Sequence, residues 1–212
     1  MKNLKDALLL YAVTDRRWLR GKTLPEAVEE AIVGGATIVQ LREKEAAHDE
    51  FLRLAKDVLA VCRRHGVPLI INDDVEIALE CGADGVHVGQ EDMELTRARA
   101  MLGADSIIGV SAHDAGEARR AFENGADYLG SGAVFPTGTK DVRSCIGPDG
   151  LARVAASVGI PVVAIGGITA DNMSALAGTG AAGAAVVSAI FASDDIEAAA
   201  RDLKSIAERT FA

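Results

Sequence analysis

The chain lacks any run of eighteen apolar residues, the length a membrane-spanning helix needs. Cysteine is scarce: Cys62, Cys81 and Cys145 stand far apart, with no CxxC pair. That spacing offers neither a zinc knuckle nor a disulfide framework and fits reduced thiols in a cytoplasmic protein. Basic residues are in deficit. The formal net charge is −9 and the pI about 4.9, so no nucleic-acid surface is indicated. HExxH, GxSxG and a Walker loop are all missing, so the zinc-protease, serine-hydrolase and P-loop classes lack their chemistry. No linker, low-complexity segment or charge block divides the chain. The N-terminal MKNLKDALLLYAVTD has an apolar stretch but no small-residue cleavage site, and reads as a first strand.

What is present is a beat of eight short apolar runs. They are 8-LLLYAV-13, 37-TIVQL-41, 67-VPLII-71, 85-GVHVG-89, 106-SIIGV-110, 128-YLGSGAVF-135, 161-PVVAI-165 and 183-GAAVVSAIF-191. Helical patterns separate them, clearest in 48-HDEFLRLAKDVLAVCRR-64, where Phe51, Leu54, Ala55, Val58, Leu59 and Cys62 recur at helical spacing. Alternation of strand and helix implies a parallel sheet, and nearly continuous apolar strands imply burial on both faces. A weak repeat supports this: 35-GAT-37, 82-GAD-84, 125-GAD-127 and 180-GAA-182 precede the even strands. Glycine there ends each preceding helix in the left-handed conformation without steric penalty. Eight units in 212 residues give about 26 residues each, room for a strand, a helix and two short loops. The expectation is a single (β/α)8 barrel over residues 1–212, with an open doubly wound sheet as runner-up. No GxGxxG turn follows the first strand to favour the latter.

Almost every run ends in residues suited to phosphate or metal, and a barrel gathers those ends at one mouth. After the second strand, Gln40, Arg42 and Lys44 alternate along 40-QLREK-44 and share a face. Arginine offers paired donors to phosphate oxygens and lysine a point charge, although a solvated charged loop would read the same way. Asn72 and Asp73 end the third strand and Asp92 follows the fourth. Carboxylates from neighbouring strand ends are hard-oxygen ligands for Mg²⁺; as helix starts they would look no different. After the sixth strand come Thr137, Gly138, Thr139 and Lys140, a set suited to a closing phosphate loop and equally to an ordinary one. Gly166 and Gly167 follow the seventh strand, and Val187 and Ser188 belong to the eighth run, where barrels commonly bind phosphate through backbone N–H groups. Among the histidines, His48 and His65 read as surface residues and His87 as a satisfied barrel-interior residue. His113, two residues after Ser111, is the one to test.

Taken in order, QLREK, IND, HVGQED, GVSAH, VFPTGTK, AIGGI and VVSAI resemble the thiamine-phosphate synthase family along essentially the whole chain. The resemblance implies a transferase that joins a hydroxymethylpyrimidine diphosphate to a thiazole phosphate, or its carboxylated form, with Mg²⁺ as cofactor and pyrophosphate released. It implies that Gln40, Leu41, Arg42, Glu43, Lys44, Asn72, Ser111 and Lys140 hold the pyrimidine diphosphate. Arg42, Lys44 and Lys140 would assist departure of the leaving group. Asp73 and Asp92 would bind the metal, and Thr137, Gly138, Thr139, Gly167, Val187 and Ser188 the thiazole phosphate. The stretch 141-DVRSCIGPDG-150 departs from the glycine- and leucine-containing segment of the family. Two alternatives stand beside this reading: a thiazole tautomerase or regulatory paralogue on the same barrel, which carries a histidine where this chain has Ala133, and a non-catalytic phosphate-ligand binding protein. Expected partners are the two small-molecule substrates, with no nucleic acid or membrane, and a homodimer is compatible with the sequence.

Overall fold

A computed structural model describes residues 3–89, 92–137 and 145–212, with backbone only for 92–94. The expectations for Gly138, Thr139, Lys140 and the side chain of Asp92 therefore lie outside the described residues.

Eight parallel strands close on themselves in chain order. They are β1 (Leu10–Val13), β2 (Ile38–Leu41), β3 (Leu69–Asn72), β4 (Gly85–Val88), β5 (Ile107–Ala112), β6 (Tyr128–Ser131), β7 (Val162–Ile165) and β8 (Gly183–Val186). Closure comes from β1, which pairs with both β2 and β8. Around them run α1 (Leu4–Ala7), α2 (Leu24–Gly34), α3 (His48–His65), α4 (Val75–Cys81), α5 (Asp92–Leu102), α6 (Ala115–Glu123), α7 (Gly147–Ala155), α8 (Ser188–Phe191) and α9 (Ile196–Thr210). This is the single-domain (β/α)8 barrel that the alternation implied.

Local chemistry sets the punctuation. Thr23 and Glu26 form a reciprocal capping box at the start of α2, satisfying two N–H groups that the helix cannot. Asp74, Asp114 and Asp195 cap α4, α6 and α9 through side-chain oxygens. At the other ends, Gly82 takes the left-handed conformation after α4, as the repeat predicted, and Gly66 does the same after α3.

The eighth apolar run is the exception. Its strand stops at Val186, and Val187 at φ −113°, ψ −83° turns the chain into α8. The expectation of Val187 and Ser188 in the strand is thus corrected. A continuous apolar run does not distinguish a buried strand from a buried helical turn. Between β7 and β8 the structure holds only a short 3-10 turn, Met173–Leu176.

Strand residues alternate between the barrel interior and the helical layer. Outward-facing Leu10, Val39, Leu41, Leu69, Ile71 and Val86 join the large core between barrel and helices. Inward-facing Tyr11, Ile38, Ile70, Tyr128, Val163 and Ala185 form a separate cluster in the lumen. Burying each large apolar side chain contributes roughly 1.5–3 kcal/mol, so Ile70→Ala in that packed lumen would cost roughly 2–5 kcal/mol. One step further along the strands the interior residues are Gln40, Asn72, His87, Ser111 and Gly130. That switch from apolar to polar and small opens the barrel into a cavity.

Candidate active site

A cavity of about 860 Å³ occupies the carboxyl-terminal mouth of the barrel, within the range of roughly 300–1,000 Å³ typical of small-molecule sites. Its floor is a chain of polar side chains that crosses the lumen. The Gln40 amide donates from Nε2 to the Tyr11 hydroxyl at 3.0 Å, and the Tyr11 and Tyr128 hydroxyls share a hydrogen bond of 2.8 Å. Tyr128 meets His87 Nδ1 at 3.0 Å, and His87 Nε2 meets Ser111 Oγ at 3.1 Å. Burial raises the pKa of both phenols, because a phenolate there would lose its hydration. Both therefore stay neutral.

The wall after β2 is cationic. Arg42 and Lys44 line the cavity, and their backbone is held by specific contacts. The Arg42 N–H donates to buried Thr14 Oγ1 at 3.0 Å. The N–H groups of Lys44 and Glu45 both donate to Glu43 Oε1, at 2.9 and 3.2 Å. The Glu43 carboxylate in turn pairs with Arg16 at 2.6 Å, and Arg16 reaches Glu50 at 2.9 Å. The side chain of Glu43 thus braces the loop, and that of Leu41 lies in the core. Beside them Asp15 pairs with Arg17, whose guanidinium holds the Asp15 carboxyl below the usual carboxylate range.

At the end of β3 the chain makes a tight turn. The Asp74 N–H donates to the Asn72 carbonyl at 2.8 Å, and Asp73 between them sits at φ +64°. A non-glycine residue in this region costs energy, and aspartate is among the few that adopt it readily. The consequence is an exposed Asp73 carboxylate on the cavity lining, with Oδ2 accepting from the Asn72 amide at 2.7 Å. Asp92 opens α5 directly after β4, the neighbour of β3. Among the described residues, no three His, Cys, Asp or Glu side chains converge on one point.

Across the mouth stand Thr137, Gly166, Gly167, Thr169, Val187 and Ser188. Gly166 and Gly167 have φ of +96° and +67°, which frees the chain to turn back under the loop after β6. A Cβ on Gly167 would lie 2.4 Å from the Pro136 carbonyl oxygen, so the close approach this glycine allows is that of the neighbouring backbone. Asn172 pins the same turn by donating to the Gly167 carbonyl at 2.8 Å and accepting from the Thr169 N–H at 2.9 Å.

Of the residues expected from sequence, Gln40, Arg42, Lys44, Asn72, Asp73, Ser111, Thr137, Gly167, Val187 and Ser188 line this one cavity. His113 also lines it, with Nδ1 2.9 Å from Glu117. Sequence reasoning missed Tyr11 and Tyr128. The signal that could have exposed them is glycine inside strands: a Cβ on Gly109 would lie 2.1 Å from Tyr128 Cζ, and glycine in a strand often marks such close approach.

Comparison with known proteins agrees with this architecture. Residues 10–190 match the family described as thiamine monophosphate synthase. A thiamine-phosphate synthase of Clostridium botulinum (strain 657 / Type Ba4) is 51% identical over 195 residues, covering 92% of this chain and 95% of that protein. A probable thiamine biosynthetic bifunctional enzyme of Oryza sativa subsp. japonica, chloroplastic, is 50% identical, covering 97% of this chain and 38% of that protein. The solved thiamine phosphate pyrophosphorylase from Pyrococcus furiosus is 41% identical with a TM-score of 0.91, covering 99% of this chain and all of that one. A family match over residues 10–190, identity at about half the aligned positions over 92% of the chain, and a barrel matching a solved relative end to end establish that the chain belongs to the thiamine-phosphate synthase family.

Proposed function

We propose that this transferase condenses a hydroxymethylpyrimidine diphosphate with a thiazole phosphate, giving thiamine phosphate and pyrophosphate. The observation that carries the reading is that one cavity has a cationic wall and, apart from it, a wall of glycine backbone and hydroxyls, each suited to an anion. Arg42 and Lys44 stand on the β2 side. The glycine turn after β7 and Ser188 at the start of α8 stand across from β3 and β2. Two phosphorylated substrates need two such walls, close enough for their rings to meet between them.

The work of the residues follows from charge. Breaking the C–O bond leaves pyrophosphate with developing negative charge, which the Arg42 guanidinium and Lys44 ammonium stabilise most when it is largest. Lys140, from the family pattern, would add a third cation. Gln40 and Ser111 hold the pyrimidine ring on the polar floor, so that the methylene carbon faces the incoming ring. The aminopyrimidine delocalises the resulting positive charge. The thiazole nitrogen attacks without a proton to lose, so no general base is required, and the remaining task of the protein is alignment.

Mg²⁺ fits the donor chemistry on the β3–β4 side. Asp73 offers an exposed hard-oxygen ligand at the cavity rim, and a second would come from Asp92. Mg²⁺ characteristically binds one or two carboxylates and takes its remaining ligands from water and substrate phosphate. When bound, it supplies positive charge to the diphosphate oxygens. The reading is of a cytoplasmic enzyme with two small-molecule substrates. Incubating the protein with both substrates and Mg²⁺ should yield thiamine phosphate by mass spectrometry, and verified metal removal should stop it. Full turnover in excess chelator would exclude the metal's role, and no product under any metal condition would exclude the synthase reading.

A further inference from the structure

The polar floor has a direction. Each phenol carries one proton and a neutral imidazole one N–H, so the series Gln40, Tyr11, Tyr128, His87, Ser111 has two self-consistent proton arrangements. In one, the Gln40 amide donates to Tyr11, Tyr11 to Tyr128, Tyr128 to His87 Nδ1, and His87 Nε2–H to Ser111. In the other every bond is reversed, and Gln40 must turn its carbonyl toward Tyr11. Gln40 Nε2 stands at the Tyr11 hydroxyl, which selects the first. Gln40 Oε1 then has no hydrogen bond among the described residues, and it is the amide atom left to accept from a ligand in the cavity.

The room for this series is built into the strands. A Cβ on Gly109 would come within 2.4 Å of the Tyr128 hydroxyl oxygen, and one on Gly130 within 3.0 Å of His87 Cε1. Tyr128 is completely buried and Tyr11 nearly so, so neither hydroxyl can exchange its partner for bulk water.

We propose that Tyr11 and Tyr128 are positioning residues that fix the Gln40 amide with its carbonyl toward the cavity, so that the site selects a ring edge carrying an N–H donor. This inference rests on the aminopyrimidine reading above and names what enforces it: the exocyclic amino group is accepted, and a 4-oxo pyrimidine, which presents a carbonyl there, is refused. Two like acceptors facing each other in a buried site lose a hydrogen bond and leave both groups desolvated.

The test compares the 4-amino pyrimidine diphosphate with its 4-oxo analogue by calorimetry in the presence of Mg²⁺. Wild-type protein should prefer the amino form by roughly 10- to 100-fold. Tyr128→Phe keeps the ring and removes the hydroxyl, so Gln40 loses its fixed orientation and the preference should fall to within about threefold, with thiazole phosphate affinity unchanged. A folded Tyr128→Phe protein that keeps the full preference overturns the proposal. A second measurement needs no variant: ¹⁵N NMR of the wild type should show His87 as the Nε2–H tautomer, and the Nδ1–H tautomer would overturn the proposal. If the wild type makes no thiamine phosphate, the aminopyrimidine reading falls, and the tautomer still decides the direction of the series.

Discussion

Gly167→Ala and Gly178→Ala make the same chemical change at two left-handed positions, φ +67° and +76°, in different surroundings. Around Gly178 a new Cβ meets nothing within 4 Å. Only the left-handed penalty applies there, about 1–2 kcal/mol, partly offset by the lower entropy of the unfolded alanine chain. A net loss of roughly 1 kcal/mol follows. At Gly167 the Cβ would lie 2.4 Å from Pro136 O and 2.7 Å from Phe135 O. Both are backbone atoms, and the segment is tied to the β7 turn by Val134 N–H to Ile165 O at 2.9 Å and Phe135 N–H to Gly166 O at 3.0 Å. Relief requires about an ångström of backbone movement, and overpacking of this kind adds roughly 1–3 kcal/mol. Urea denaturation should therefore show about 1 kcal/mol lost in Gly178→Ala and about 2–4 kcal/mol in Gly167→Ala. In melting temperature these become about 3 °C and ~6–12 °C for a chain of this size. Because the displaced segment runs directly into Thr137, calorimetry should also show thiazole phosphate binding roughly tenfold more weakly to Gly167→Ala, about 1.4 kcal/mol, and unchanged in Gly178→Ala. Equal stability losses in the two variants would refute the packing argument, whatever their activities.

Ser188→Asp would place a carboxylate ~5 Å from the thiazole phosphate, and at an effective dielectric of about 20 one such charge pair costs roughly 3 kcal/mol, two orders of magnitude in affinity. Calorimetry with each substrate should show this loss for the thiazole phosphate alone, and equal losses for both would mean the two-wall division is wrong. Asp73→Asn should lower turnover at limiting Mg²⁺ and regain part of it as Mg²⁺ rises, because a weakened site refills by mass action; wild-type behaviour at every concentration would reduce Asp73 to a helix start. The depressed carboxyl of Asp15 stabilises the fold above its unfolded pKa of about 3.9 and loses that contribution as pH falls through the lower folded value. Asp15→Asn should thus melt below wild type at pH 7 and converge with it in acid, and a gap that persists at pH 2 would show that the deficit is steric.

The fold was largely legible because its signals are local. Apolar runs of strand length, acids at helix starts and glycines at helix ends each act within a few residues, and together they mark eight units. The failure came where local signals are degenerate. In 183-GAAVVSAIF-191 the backbone changes from strand to helix at Val187 while the run stays almost entirely apolar, since Ile190 and Phe191 of the helical turn are buried like the strand before them. The arginine and lysine of the second strand end, the aspartate of the third and the glycines of the seventh were legible by the same logic. Their chemistry is carried by single strand ends, and the barrel brings every such end to one mouth.

What a strand end cannot reveal is a partner on the far side of the lumen. Tyr11 and Tyr128 are 117 residues apart and meet at 2.8 Å. In sequence each is one bulky residue inside an apolar run, with nothing local to mark it as half of a pair. The structural reason they meet is shear: barrel register sets Tyr11 beside Ile38 and Ala185, and Tyr128 beside Gly109, so the two rings rise to the same level with the glycine opening space for one of them. A polar bond in the lumen is expensive to form without complete satisfaction. This one is satisfied only because β1, β2, β4, β5 and β6 each contribute one member. The lower barrel therefore serves the mouth chemically as well as mechanically, since a substitution at Gly109 would disturb the Gln40 amide three strands away through two phenols that need never touch the leaving group.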